Sequence, residues 1–216
     1  MKFPISNLRR FCSEKQFSIF KRGFSLIELL IVVAIFGLTV SLVTAAFITF
    51  DRNQKLRNAA LQLKSDLRQA QNKALSGDKG SGSATCPSTA TLGGWYIQIN
   101  TDPTGGNNGK YTLAGDCKTG ASDSSFAAKT TFLPGGVTVS TTSLGAIASV
   151  DIFFRPLSSG VTFHNASLSP PFFDSSGNLV NQVGAGSALT ITLSAATGGT
   201  YQVVVSSSGE INESKP

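Results

Sequence analysis

The sequence predicts an α+β protein in which one long N-terminal helix precedes a C-terminal antiparallel β domain. Two features of the 216-residue chain predict the helix: residues 29–50 contain no charged side chain, and residues 51–75 contain neither proline nor glycine. A third feature predicts the β domain. From Gly94 onward, short apolar or β-branched segments alternate with clusters of Gly, Ser, Asn, Asp and Pro, as strands alternate with turns.

The uncharged segment, residues 29–50, is long enough to cross a membrane. At about 1.5 Å per residue it makes a helix of about 33 Å, and the hydrocarbon core of a bilayer is about 30 Å thick. Lys21 and Arg22 directly precede the segment, and an excess of basic residues marks the side that stays in the cytoplasm. We therefore expect residues 24–50 to be the transmembrane half of the helix.

Glu28 places a carboxylate at the edge of this apolar segment. A charge at the centre of a membrane helix costs about 2.5 to 3.5 kcal/mol on insertion scales, and less near the interface. Considered alone, Glu28 fits the headgroup level of an ordinary signal anchor. The residues around it indicate a more specific role.

Residues 21–33 read Lys-Arg-Gly-Phe-Ser-Leu-Ile-Glu-Leu-Leu-Ile-Val-Val. This segment resembles the class III signal of type IV pilins and type II secretion pseudopilins. The resemblance implies that a prepilin peptidase cleaves after Gly23 and that Phe24 becomes an N-methylated N-terminus. It also implies that Glu28 pairs with the N-terminal amine of a neighbouring subunit during assembly. Residues 1–23 would then be a basic leader peptide.

Removing this leader changes the charge of the chain. The leader holds six of the 18 basic residues and one of the 12 acidic residues, so residues 24–216 carry 12 against 11, a formal net charge of plus one. The net charge of +6 for the whole chain therefore reflects the leader, and it is poor evidence for nucleic-acid binding.

Removing the leader also removes Cys12 and leaves Cys86 and Cys117 as a pair. An exported domain lies in an oxidising compartment, where we expect the pair to form a disulfide. Closing that loop would stabilise the fold by about 3 to 4 kcal/mol in the chain-entropy model. Two unpaired thiols are the alternative, because the sequence does not give the distance between them.

The helix is expected to continue beyond the membrane as an amphipathic half, residues 51–76, and to end at Ser76 and Gly77, where a Gly- and Ser-rich cluster begins. Small and apolar side chains recur there at spacings of three and four, so we expect one face of the helix to pack against protein and the other to be exposed to solvent. The packed face has no convergent polar groups, so it predicts a surface for the β domain and not a cofactor site. Its residues are Leu56, Ala60, Leu63, Leu67, Ala70 and Ala74.

Residues 77–216 are expected to form the β-rich exported head domain. The predicted strands are residues 95–100, 130–133, 137–141, 150–155, 160–163, 188–193 and 200–206. With the helix, they predict the lollipop fold of type IV pilin-like proteins.

The head domain also resembles the GspH/FimT branch of minor pilins and pseudopilins. The matching features are a helical Leu-x-x-x-Leu-x-x-Ala-x-x-x-Ala segment at residues 63–74, then Cys86, the strand at Trp95, the turn at Asp102 and a Phe-x-Pro-x-Gly-like segment at residues 152–160. FimT-like DNA-uptake pilins are expected to have basic residues near the C-terminus, but residues 208–216 are acidic on balance. Because DNA affinity comes largely from Lys and Arg at phosphates, we do not expect nucleic-acid binding.

His164, the single histidine, is the candidate for an anchored hydrolase. No Gly-x-Ser-x-Gly elbow accompanies it, so we expect a structural role, no catalytic residues and no enzyme activity. Trp95 is expected in the core and not as a ligand platform.

No metal or cofactor site is expected either. One histidine and a cysteine pair do not make a zinc set. Oxygen ligands in one Gly-rich turn do not have EF-hand spacing, and a tight turn selects the same residue types. They are Asp102, Thr104, Asn107 and Asn108.

The sequence therefore predicts a minor pilin or pseudopilin of a type II secretion system or a type IV pilus, processed by prepilin peptidase and assembled into a filament or its tip. Its partners would be other pilin or pseudopilin subunits and the inner-membrane assembly platform. It would cross the bacterial inner membrane once, with a cytoplasmic N-terminus and a periplasmic or extracellular head domain. The alternatives are an uncleaved signal-anchored binding module, an anchored hydrolase and a FimT-like DNA-uptake pilin.

Overall fold

The structure is a computed structural model that describes residue 23 and residues 25–82, 84–119, 122–145, 147–158, 160–168, 172–184, 186–196 and 198–216. Phe24 and Cys12, which the sequence analysis singled out, lie outside the described residues. The chain divides into two compact units, residues 1–46 and residues 47–216.

A single helix, α1, runs from Leu26 to Leu75. It ends in a Schellman motif, in which the N–H of Asp78 donates to the carbonyl of Lys73 at 2.9 Å and the N–H of Gly77 donates to the carbonyl of Ala74 at 3.1 Å. Gly77 has a φ of 66°, a left-handed conformation that glycine adopts without a steric penalty. The predicted end of the helix is therefore confirmed.

Eleven β-strands follow α1 in the described part of the chain. They are β1 (Gly80–Ser81), β2 (Ala84–Thr85), β3 (Thr91–Asn100), β4 (Lys110–Thr119), β5 (Ser122–Phe132), β6 (Val137–Thr142), β7 (Ser149–Phe154), β8 (Val161–Asn165), β9 (Leu189–Ala195), β10 (Thr200–Val205) and β11 (Ile211–Ser214). A 3₁₀ helix, Thr104–Gly109, connects β3 to β4.

The strands form a five-stranded sheet in the order β5-β4-β3-β7-β8, a four-stranded sheet in the order β11-β10-β9-β6, and the two-stranded pair β1-β2. All of these pairings are antiparallel. One long helix followed by antiparallel sheets confirms the predicted α+β class.

The core of the unit formed by residues 47–216 joins the amphipathic half of α1 to both large sheets. One cluster of buried side chains takes Leu63 from α1, Ile97 from the five-stranded sheet and Ile191 from the four-stranded sheet. The predicted helix stripe is confirmed, because each of its members is at most 2% exposed: Leu56, Ala60, Leu63, Leu67, Ala70 and Ala74. Trp95 is also in this core, as predicted, and its indole N–H donates to the carbonyl of Asp78 at 2.7 Å.

The sequence analysis missed strand β4 and the first part of β5, residues 122–129. Strand β4 contains Gly115 and Asp116, residue types that are depleted in strands, although it lies inside the five-stranded sheet. Gly115 is required because the ring of Phe126 occupies the space that a side chain would need. The tertiary packing therefore requires Gly115, a residue type whose low strand propensity prevented the prediction of β4.

Candidate processing and assembly site

The predicted cleavage point precedes the helix. Gly23 is exposed and lies outside regular secondary structure, and a Cβ built on it would meet no atom of the described residues within 4 Å apart from its chain neighbours. Among the described residues, nothing crowds Gly23, which precedes the predicted cleavage point. The other predicted residue of the cleavage pair, Phe24, is outside the described residues.

Ser25 forms the N-terminal cap of α1 through its backbone. Its carbonyl oxygen accepts hydrogen bonds from the N–H groups of Glu28 at 3.0 Å and Leu29 at 3.2 Å. Ser25 and Glu28 also have the Ser-x-x-Glu spacing of a capping box, a signal that the sequence analysis did not use. A carboxylate in the first helical turn is further stabilised by the helix dipole.

Glu28 is exposed in the first turn of α1. Among the described residues, no ion pair includes this carboxylate. It therefore has helix-dipole stabilisation but no ion-pair partner among the described residues, and it lies at the edge of a segment that contains no other charge.

The apolar half of α1 is exposed along its described length. Every described side chain in residues 26–50 is exposed, whereas the apolar core helix of a soluble protein would be mostly buried. α1 is long and apolar enough to cross a membrane by length and composition, and the qualifying segment is close to the N-terminus, where a signal sequence would pass the same test. These features are consistent with a membrane-anchored single-pass protein.

Hydroxyl groups in this apolar half hydrogen bond to the helix itself. Thr39 Oγ1 donates to the carbonyl of Phe36 at 2.9 Å, Ser41 Oγ to that of Leu38 at 2.8 Å, and Thr44 Oγ1 to that of Val40 at 2.8 Å. An unsatisfied polar group in hydrocarbon costs several kcal/mol. These hydroxyls therefore do not need water or a second helix.

A disulfide joins Cys86 to Cys117, with 5.6 Å between the Cα atoms. Both cysteines are buried in the core, and Cys117 lies on β4. The bond attaches the segment that precedes β3 to strand β4 of the five-stranded sheet. It belongs to the core of the head and takes no part in the N-terminal site.

His164 is completely buried on β8 and uses both ring nitrogens. Nδ1 lies 2.7 Å from the carbonyl oxygen of Val180, and Nε2 lies 2.8 Å from Oγ1 of Thr162. The carbonyl requires a proton on Nδ1, so Nε2 accepts from the hydroxyl. Burial lowers the pKa of His164, which favours this neutral ring. The structure thus gives His164 a packing role and leaves neither nitrogen available as a general base.

The Gly-rich turn after β3 is held by local hydrogen bonds. Oδ1 of Asp102 accepts from the N–H of Thr104 at 2.8 Å and from its hydroxyl at 2.6 Å, and Nδ2 of Asn107 donates to the Thr104 carbonyl at 3.2 Å. The bonds from Thr104 lower the pKa of Asp102. Across the described ranges, no group of three His, Cys, Asp or Glu side chains could hold a metal ion.

Comparison with known proteins assigns the N-terminal segment. Residues 20–44 match the family model described as the prokaryotic N-terminal methylation motif. The match covers Gly23, Phe24 and Glu28 and ends within the apolar half of α1. Neither a curated protein nor a solved structure matches the chain. The motif supports a type IV pilin-like protein with a class III signal, which implies processing by prepilin peptidase and assembly with other pilin subunits.

Proposed function

We propose that this chain is a minor pilin or pseudopilin of a type II secretion system or a type IV pilus. The match of residues 20–44 to the N-terminal methylation motif carries this proposal. In it, residues 1–23 are the leader, residues 24–50 the membrane and assembly half of the helix, residues 51–76 its amphipathic half, and residues 77–216 the exported head domain. The function is structural, with no enzyme activity.

Prepilin peptidase would cleave after Gly23 and methylate the new amine of Phe24. The amine is a cation at the membrane edge, and Glu28 is an anion without an ion-pair partner among the described residues. Opposite charges attract more strongly in a medium of low dielectric constant than in water. Pairing Glu28 of one subunit with the Phe24 amine of the next would offset the cost of holding both charges near hydrocarbon.

The apolar half of α1 would pass from lipid into a filament made of similar helices. A helix that is apolar all round requires an apolar environment on every side, and lipid or neighbouring subunits can both supply one. The internally bonded hydroxyls of Thr39, Ser41 and Thr44 support this transfer, because they lose no hydrogen bond in it. The inner-membrane assembly platform would provide the site of transfer.

The basic residues before α1 support a cytoplasmic N-terminus and a periplasmic or extracellular head. Membership of the GspH/FimT branch is part of the proposal and rests on the Cys86, Trp95 and Asp102 pattern. Strand β11 supports the expectation that DNA is not a ligand, because its Glu213 is paired with Lys64 of α1. One basic side chain of the amphipathic half of α1 is thus already paired with the C-terminal segment.

The decisive measurement is the mass of the N-terminal peptide of the full chain purified from membranes. A processed subunit begins with N-methylated Phe24. An intact leader would overturn processing and favour the uncleaved signal-anchored module.

The assembly contact is tested with Glu28→Ala. We expect this variant to insert into the membrane and to be cleaved, but to be missing from sheared filaments or from complexes crosslinked with other subunits. Glu210→Ala is the matched control, because Glu210 is an exposed acid of the head and its loss leaves the proposed contact unchanged. Normal assembly of the Glu28→Ala variant would exclude the pairing.

A further inference from the structure

A polar cavity lies on the face of the five-stranded sheet that is opposite the core. Successive side chains of a strand point to opposite faces, so Trp95, Ile97 and Ile99 of β3 enter the core while Tyr96 and Gln98 point the other way. On that second face lies a cavity of about 280 Å³. Side chains that line it include Tyr96, Gln98, Asp116, Asp123, Asp151 and Phe172.

Strand pairing places the carboxylates of this cavity on one face of the sheet. Strand β3 lies between β4 and β7, and its Gly94 is opposite Asp116 while its Gln98 is opposite Asp151. Asp123 follows on β5, opposite Lys118 of β4. None of these acids was selected by the sequence analysis, because they come from strands that are distant in the sequence.

Two of the acids are almost completely buried and incompletely paired. Asp116 and Asp151 are each 2% exposed. Oδ2 of Asp116, Oδ1 of Asp151 and Oδ1 of Asp123 have no hydrogen-bond partner among the described residues. An unsatisfied buried acceptor costs about 1 to 3 kcal/mol, and more when it is charged. These unpaired oxygens favour a ligand that supplies several hydrogen-bond donors.

The charges that border the cavity also favour a cation. The titratable groups on this face are Tyr96 on β3, Asp116 and Lys118 on β4, Asp123 on β5, Asp151 on β7 and the neutral His164 on β8. Nζ of Lys118 lies 4.9 Å from the centroid of the Phe173 ring, and no ion pair within the described ranges includes it. The acids therefore exceed the cations at this site.

The shape of the cavity distinguishes between kinds of cation. No three of the described acidic, histidine or cysteine side chains could hold a metal ion, whereas calcium requires six to eight converging oxygens at about 2.3 to 2.6 Å. Aromatic rings form one wall instead, since the centroids of Tyr96 and Phe172 lie 4.9 Å apart. A guanidinium group is flat, carries five N–H donors and stacks on aromatic faces.

We propose that this cavity binds a guanidinium group, which lies between the charges of Asp116 and Asp151 and packs against Tyr96 and Phe172. The group is either an arginine side chain displayed by another protein or a free arginine-like molecule, and both present the same chemistry. This site lies in the head and does not depend on the N-terminal processing proposed above.

Proton binding gives the proposal an independent readout. Burial is the main cause that raises the pKa of Asp116 to about 7, with a further contribution from Asp123 and an opposing one from Lys118. Burial likewise raises the pKa of Asp151 to about 7, against the effect of a hydrogen bond from Gln98. These acids therefore stabilise the fold at low pH, and that contribution is lost as the pH rises from about 4 through about 7. A guanidinium prefers the ionised acids, so its affinity should increase between pH 5.5 and pH 8.

The test is calorimetric titration of the full-length chain in detergent micelles with N-acetylarginine amide. N-acetylcitrulline amide is the matched ligand, because it has nearly the same shape and no charge. We expect the arginine compound to bind at least about tenfold more tightly than citrulline, a difference of about 1.4 kcal/mol, and to bind more tightly at pH 8 than at pH 5.5. Titration with free arginine and with a Gly-Gly-Arg-Gly-Gly peptide then distinguishes the two sources of the group.

Variants locate the site. Asp116→Asn and Asp151→Asn should each weaken arginine-amide binding at least about tenfold, since each removes one charge partner. Asp102→Asn, in the turn after β3, should leave it unchanged. Lys118→Met removes a cation whose charge acts on Asp116 and should strengthen binding, which keeps the test valid if an aspartate variant fails to fold.

Three outcomes would overturn the proposal. They are no heat of binding with arginine amide at up to about 10 mM, equal affinity for the citrulline compound, and calcium chloride binding more tightly than arginine amide in competition. Unchanged affinity in a folded Asp151→Asn variant would likewise exclude the site.

Discussion

The two halves of α1 are both rich in apolar residues, but they place them in different surroundings. Residues 26–50 expose every described side chain, whereas Leu63, Leu67 and Ala70 in the second half are completely buried against the sheets. The difference lies in the opposite face of the helix. The second half carries charges there and so has one packed stripe, while the first half is apolar all round and matches no single packing surface. Apolar content alone therefore does not locate a core.

The largest expected effect comes from replacing leucine by alanine once in each half of α1. Leu67→Ala should lower the free energy of unfolding of the head by about 2 to 5 kcal/mol, because it leaves a cavity in a packed core. Leu38→Ala, at a side chain that is 68% exposed, should leave that free energy unchanged. Denaturant unfolding of the full chain, followed by the fluorescence of Trp95, measures both. Equal losses would show that the first half also packs against the head.

An arginine introduced into each half should affect the first half and not the second, when membrane insertion is measured. Val33→Arg places a charge inside the uncharged segment and should reduce membrane insertion by about 2.5 to 3.5 kcal/mol. Leu61→Arg, at a side chain of the second half that is 40% exposed, should insert like the unmodified chain. The measurement is the alkali-resistant fraction in membrane vesicles. If the Val33→Arg variant inserts normally, residues 29–50 are not the membrane segment.

The packed half of α1 also makes a polar contact with the five-stranded sheet. The hydroxyl of Tyr111 on β4 donates to Oδ2 of Asp66 on α1 at 2.6 Å. Tyr111→Phe should lower the free energy of unfolding by about 1 to 3 kcal/mol, since the hydrogen bond is to a charged group that is partly buried. Combining it with Asp66→Asn in a double-mutant cycle isolates the pair. Strict additivity of the two losses would show that the bond contributes nothing.

The smallest effect is expected where the two kinds of sequence meet. Asp51 and Lys55 form a half-exposed ion pair one helical turn apart, with 2.7 Å between Oδ2 and Nζ. Lys55→Ala should change the free energy of unfolding by no more than about 0.3 to 0.5 kcal/mol. That difference should vanish in about 1 M salt, which screens exposed charges. A larger or salt-independent loss would mean that Lys55 also acts through packing.

Sequence reasoning succeeded where the signal is local. The uncharged segment, the stripe from Leu56 to Ala74 and the helix end at Gly77 each repeat or stop within a few residues, so neighbouring positions are enough to identify them. The junction at Gly23 and Glu28 is also a contiguous pattern. Sequence reasoning failed at β4. Gly115 and Asp116 have low strand propensity, and only the Phe126 ring and the paired strands explain why they lie in a strand.

The sequence by itself determined that this chain has an apolar helix behind a prepilin-type junction, and that an amphipathic half must pack on a β-rich domain. Those features depend on the order and spacing of side chains along a helix. Only the tertiary structure decided that the buried Asp116 and Asp151 line one cavity. They lie on different strands and share one face of the sheet because β4 and β7 both pair with β3. Backbone pairing over such sequence distances is set by the whole sheet and not by the residues near either aspartate.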